Sequence, residues 1–295
     1  MEKTFNKLSV IVLFILPAFL VFTSIVIVSV IWVFFVSFTN WNGFGGIQFD
    51  GLSNYAQLFF HDRNFWLITG NTFKYTFYEL LLQIGGGLLV AIFLTRLTRM
   101  RASLQTFYYI PVIISSVAIC QIFNKLLSVT PAGVVNSFFS IFNPAWIDLE
   151  WISNPKISLE VCAFVEGYKY FGLYMVIFYS ALISVPKELI EAATIDGASA
   201  PKRLVKVQLP YIKPVIIANF ILVLNGSMRS FDISYLLTKG GPGNTSQLLS
   251  PYMYKQAFSS MKYGYGSSVA IAVVLFCVVI GIFLQKTLLK DVREE

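Results

Sequence analysis

The sequence predicts an all-α, polytopic membrane protein with six transmembrane helices, and three observations predict it. Hydrophobic residues make up 56% of the 295 residues and charged residues only 13%, with a mean hydropathy of +0.71. Soluble domains carry about 25% charged residues, so this chain lacks the polar surface a water-soluble globule needs. The apolar residues are gathered into long runs free of Asp, Glu, Lys and Arg, such as 8–49, 102–124 and 263–285. Basic residues, finally, cluster in alternate connecting segments, as they do on the cytoplasmic side of membrane proteins.

A span needs about 20 mostly apolar residues and tolerates a charge near either end. On that measure the spans lie at 8–37, 66–95, 103–126, 158–184, 212–230 and 266–288. The first run ends near Phe38, because Asn40, Asn42, Gly43, Gly45 and Gly46 read as loop. It begins at Met1 to Lys7 but is too long for a signal-peptide core and lacks a small-x-small cleavage site, so it reads as an uncleaved span. Lys74 and Glu79 fall in the second span, and Glu160, Glu166 and Lys169 in the fourth, all in halves directed outward. The stretch 126–147, with Pro131, Gly133, Asn136, Asn143 and Pro144, reads as an outer loop with a short interfacial helix. The stretch 240–254, rich in glycine, serine and proline, reads as loop. Two parts follow: residues 1–64, the first transmembrane helix and its outer loop, and 65–295, a membrane core with a cytoplasmic loop at 185–213.

With the N-terminus inside, Lys3, Lys7, Arg96, Arg99, Arg101, Lys187, Lys202, Arg203, Lys206, Lys213, Lys286, Lys290 and Arg293 fall in short cytoplasmic segments or at their edges. These are 13 of the 22 basic residues, and the asymmetry predicts that both termini are cytoplasmic. The same rule accounts for the net charge of +7, and no basic stripe with interleaved aromatics points to nucleic acid. Cys120, Cys162 and Cys277 lack metal-ligand spacing, and their odd number argues against a disulfide framework. His61 has no histidine or cysteine companions, so no metal site is expected.

The loop SVPKELIEAATIDGASAPKRLVKVQLPYIK, Ser184 to Lys213, is the most informative stretch. Pro186 suits a first helical turn, with Ser184 near a capping position. Leu189, Ile190, Ala193 and Ile195 recur at near-helical spacing, and Asp196-Gly197 marks a turn. Ser199 and Pro201 start a second short helix, which Pro210 is expected to stop. Periodicity alone allows an amphipathic helix lying on lipid.

The residues say more. Glu191-Ala192-Ala193, three residues, Gly197, nine residues, then Val207-Gln208-Leu209-Pro210 resembles the EAA loop of binding-protein-dependent ABC importer permeases. The one departure is Val207 in place of isoleucine. The segments GYKYFGLYMVIFYSAL before the loop and FDISYLLTKGGPGNTSQLLSPYMYKQAF after the fifth span look like the sugar permeases of carbohydrate-uptake systems, over approximately 65–290. The resemblance implies the type I ABC importer permease fold, in a bacterial cell (inner) membrane. It implies as partners a second, related permease subunit, two ATPase subunits and an extracytoplasmic solute-binding protein, with 191–203 as the coupling helix. Glu191, Asp196 and Gly197 would then sit at the ATPase contact, Ala192, Ala193 and Ala198 would permit close approach, and Leu209-Pro210 would close the motif. No cofactor is expected in this chain: ATP and Mg belong to the partner ATPase, and no G-x-x-x-x-G-K-[ST] loop is present.

By the same resemblance the solute path draws on the fourth and fifth spans, at Tyr170, Leu173 and Tyr174 and at Asn225, Gly226, Ser227 and Ser230. Aromatic faces stack on sugar rings and hydroxyls bond sugar hydroxyls; helix packing explains Gly and Ser equally well. Lys169 and Arg229 are expected near outer span ends, reaching the interface. The Lys-Gly-Gly-Pro-Gly-Asn turn at 239–244 serves either chain reversal or contact with the binding protein. A glycerol-phosphate or other small-solute permease remains the alternative. An ion-coupled carrier is disfavoured by the absence of internal repeats, and an enzyme by the absence of an intramembrane acid, base and nucleophile cluster.

Overall fold

The computed structural model describes residues 8–97 and 99–288. Lys3, Lys7, Lys290 and Arg293 of the orientation count lie outside the described residues. Five helices are long and apolar enough to cross a membrane, and a bent pair, Arg101–Ile113 with Ser116–Leu126, has the length and composition of one more. The described residues otherwise hold short helices, turns and one isolated bridge, Thr39 to Phe49.

Helix α1 joins Leu8–Phe22 to Val28–Val36 through a π turn at Thr23–Ile27. A turn of helix, α2 (Ser53–Ala56), precedes α3 (Arg63–Thr95). Then come α4 (Arg101–Ile113), α5 (Ser116–Leu126), α6 (Val134–Ser140) and α7 (Ser158–Ile183). The loop between the fourth and fifth spans holds α8 (Lys187–Ile195), α9 (Ala200–Arg203) and α10 (Leu209–Tyr211). The chain ends with α11 (Lys213–Met228), α12 (Asp232–Leu237), α13 (Leu249–Tyr254) and α14 (Tyr263–Leu288).

One straight span over 103–126 does not form. Helices α4 and α5 meet at 101°. Pro111 removes a backbone donor near the end of α4, and Ile114 and Ser115 are extended. The Ser115 hydroxyl then caps α5, accepting from the Ala118 amide at 3.3 Å, so a new helix starts in a new direction. The expected loop at 240–254 also differs, since its last residues form α13, with Leu249, Pro251 and Tyr252 buried. In the 126–147 stretch the predicted short helix is α6, followed by a 3-10 turn at Pro144–Asp148.

The chain divides into two compact units, residues to Arg63 with Met253–Val274, and Asn64–Tyr252 with residues from Leu275. In the first unit, Asn54 is buried and donates to the carbonyls of Ser37 and Thr39 at 3.0 and 2.8 Å. Tyr265 donates to Asp62, and Gly264 packs so tightly on the Thr39 carbonyl that no side chain fits there.

The second unit is built on α7. One core layer joins Ile84, Ala91 and Leu94 of α3 to Met175, Phe178, Tyr179 and Leu182 of α7. The other joins Tyr75 of α3 and Ile119 and Phe123 of α5 to Leu159, Cys162 and Val165 of α7 and Ile233 of α12. Within lipid, apolar burial drives little association, so helices approach through small residues. Gly172 of α7 lies against the Tyr108 carbonyl of α4, where a methyl group would collide. Gly87 of α3 faces the Met175 amide in the same way, with its hypothetical Cβ only 3.1 Å away. The Gly85-Gly86-Gly87 run thus serves packing. It closes a π turn, Leu80–Gly86, and does not break the helix.

Candidate functional site

Helices α7 and α11 and the start of α12 enclose a cavity of about 380 Å³. Tyr170, Leu173 and Tyr174 line it from α7, and Gly226, Ser227 and Ser230 from α11 and its end. Six of the seven path residues expected from sequence therefore converge. Asn225 does not: it borders a separate apolar groove with Ile221 and Cys277, and its amide donates to the Ile221 carbonyl at 2.9 Å. A helix advances about 100° per residue, which turns Asn225 away while Gly226 faces in. No atom lies within 4 Å of where a Gly226 side chain would start.

Sequence reasoning missed Gln83, Ser116, Glu166 and Asp232 on the same walls. Glu166 was legible in principle, since Glu166, Tyr170 and Leu173 follow i, i+4, i+7 spacing on one face of α7. Its Oε2 accepts from the hydroxyls of Tyr75 at 2.5 Å and Ser230 at 2.6 Å. Behind that wall Gln83 donates to the fully buried Glu79.

Lys169 does not reach the interface as expected. It is 6% exposed, donates to the Ser116 hydroxyl at 2.6 Å and lies 5.1 Å from the centre of the Tyr170 ring. Ser116 in turn donates to Asp232 at 3.0 Å. The bend between α4 and α5 makes this relay by setting Ser116 at the start of α5, opposite α7. Arg229 lines the cavity, and its Nε donates to the Asn225 carbonyl at 3.1 Å. Within a bilayer such groups persist only when they face one another or a cavity: Lys169 meets Asp232 through Ser116, and Arg229 and Asp232 line the cavity. The 239–244 turn is held down as well: Asn71 donates to the Asn244 carbonyl at 2.9 Å, and the Ser246 hydroxyl donates to the Gly241 carbonyl at 2.6 Å.

In the 185–213 loop, Pro186 lies just before α8 rather than in its first turn, Ser184 ends α7, and Gly197 ends α8 with a φ of +74°, a backbone that only glycine adopts without strain. Ser199 precedes α9 with Pro201 in its first turn, as expected. Pro210 does not stop the helix. The chain widens into a π turn at Leu204–Gln208 and runs on through Pro210 to Tyr211, the wide turn accommodating the missing amide. Ile190, Leu204 and Leu209 pack on the α3–α7 core. Glu191, Ala192, Asp196 and Gly197 are exposed, and Ala193 and Ala198 half-buried. Ile195 departs from its expected apolar face and is 86% exposed. Arg203 donates to the Ala198 carbonyl at 2.8 Å, bracing the turn.

Residues 83–294 match the family described as the inner membrane component of binding-protein-dependent transport systems. The chain belongs to this family. It is thus the membrane-spanning permease component of a binding-protein-dependent ABC importer, resident in a cell membrane. A protein named "probable ABC transporter permease protein" from Pyrococcus horikoshii is 30% identical over 275 residues, covering 92% of each chain. The arabinooligosaccharides transport system permease of Bacillus subtilis is 30% identical over 276 residues, 93% of this chain and 87% of that one. In three dimensions the permease fold is shared with a bacterial ABC transporter involved in importing the acidic polysaccharide alginate, at a TM-score of 0.84 and 20% identity over 98% of both chains. The permease's cavity lies where the α7 and α11 residues converge.

Proposed function

We propose that this permease carries a sugar or oligosaccharide across the membrane, through the cavity lined by Tyr170, Leu173, Tyr174, Gly226, Ser227 and Ser230. The observation that carries the reading is the cavity's make-up: aromatic faces beside hydroxyls and a carboxylate, within a volume of about 380 Å³. That lies in the range of roughly 300–1,000 Å³ common to small-molecule sites. Relatives named for arabinooligosaccharides, starch degradation products and multiple sugars support it.

The permease works with a second, related permease subunit, two ATPase subunits and an extracytoplasmic solute-binding protein. It performs no catalysis and holds no cofactor of its own, because ATP and Mg are bound by the ATPase subunits. Both termini and the 185–213 loop are cytoplasmic. Exposed Glu191, Asp196 and Ile195 dock on an ATPase subunit, while Ile190, Leu204 and Leu209 pass its movement to α3 and α7, a rocking transition between two states.

The test is reconstitution of the whole complex in proteoliposomes with ATP inside and binding protein outside. ATP-dependent accumulation of a labelled oligosaccharide, lost when the binding protein is omitted, is the expected result. Accumulation of glycerol phosphate with no sugar uptake would replace the sugar reading with the small-solute alternative.

A further inference from the structure

We propose that Glu166 is a solute-contacting, specificity-determining carboxylate that makes this cavity select uncharged sugars over anionic ones. The inference rests on the sugar reading above and adds to it a residue and a charge preference.

The two oxygens of Glu166 are in different situations. Oε2 is taken by hydroxyl donors from two helices, Tyr75 of α3 and Ser230 at the end of α11. These donors fix the carboxylate in one orientation, each hydroxyl bond being strongest to an ionised acceptor. Oε1 accepts no hydrogen bond among the described residues, yet it is not among their buried, unpartnered atoms, and Glu166 lines the cavity. An ionised carboxylate only accepts, so Oε1 presents an open acceptor to whatever enters. A sugar hydroxyl donates to it. A carboxylate or phosphate on the solute brings a second acceptor-only anion against it.

The surrounding charges do not offset that contact. Lys169 is turned to Ser116, and through it to Asp232. Arg229 and Asp232 line the same cavity with opposite signs. A contact that rewards a donor and repels an anion gives specificity by both routes at once.

The experiment uses the full complex, with its ATPase subunits arrested after solute transfer so that the permease holds the sugar. Retention is measured for a labelled neutral oligosaccharide and for one of equal length ending in a uronate. Any preference of the binding protein cancels when each variant is compared with wild type. Wild type should retain the neutral probe about tenfold or more over the uronate. Glu166→Gln keeps acceptors for Tyr75 and Ser230 but removes the charge, and should bring that ratio down about tenfold. Glu166→Asp, which restores the charge, should keep most of it. Equal ratios in wild type and Glu166→Gln would overturn the proposal, as would a wild type that holds both probes alike. If wild type retains neither probe, the sugar reading itself fails.

Discussion

Tyr170 lines the cavity, and Lys169 lies over its ring at 5.1 Å from the centroid. Tyr170→Ala removes a stacking surface. It should lower uptake about fivefold, which corresponds to roughly 1 kcal/mol of lost ring contact. Proteoliposome transport measured beside purified complex yield checks this, and a parallel fall in yield would mark Tyr170 as a packing residue instead. Ser227 is 3% exposed, and its hydroxyl donates to the Val223 carbonyl at 2.8 Å. Ser227→Leu should block uptake by filling the cavity while the binding protein still stimulates ATP hydrolysis. Normal uptake in that variant would move the path elsewhere. At Gly197 the limit is backbone alone, since no atom lies within 4 Å of a would-be side chain and φ is +74°.

Helices meet here through glycines that the neighbouring backbone occupies. Gly172→Ala should drive α4 away from α7 and cost about 1–3 kcal/mol, the usual range for overpacking. Thermal stability and yield of the complex should both fall. Gly226→Ala, with open space at the same position of its own helix, should leave both near wild type. Matching losses in the two variants would show that the α4–α7 approach is not what limits the fold. In the loop between α8 and α9, Gly197→Ala should cost about 1 kcal/mol of local stability from the left-handed backbone. Gly197→Pro, with φ held near −65°, cannot make the turn at all. It should abolish uptake and leave ATP hydrolysis unstimulated by the binding protein, with the complex still assembled. Wild-type uptake in Gly197→Pro would reduce the loop to a surface helix.

Across the whole molecule, the exposed apolar side chains of α1, such as Phe14 and Ile25, suit a lipid-facing helix. The basic asymmetry predicts which side of the bilayer each loop occupies. A single cysteine at exposed Ala200, in a chain with Cys120, Cys162 and Cys277 replaced, should react with an impermeant maleimide only after the cells are opened. Labelling in intact cells would invert the topology. Much of this architecture was legible beforehand. Apolar runs gave five of the crossings as continuous helices, and the Asp196-Gly197 pair marked the turn between α8 and α9. The bend between α4 and α5 was not legible as a break, because Pro111 sits inside many kinked helices and its effect depends on Ser115 capping a redirected one.

Composition and spacing by themselves determined that the chain spans a membrane about six times, and where the loop between its fourth and fifth spans turns. These are local properties: a run of apolar side chains or a glycine at a fixed offset acts the same wherever the helices later pack. Only the tertiary structure decided which polar groups share a cavity. Lys169 and Ser116 stand 53 residues apart, and Glu166 and Ser230 stand 64 apart, so no periodicity links them. The rotation of each helix about its axis is set by backbone-close contacts such as Gly172 on Tyr108 and Gly87 on Met175, and those contacts exist only once the helices have met.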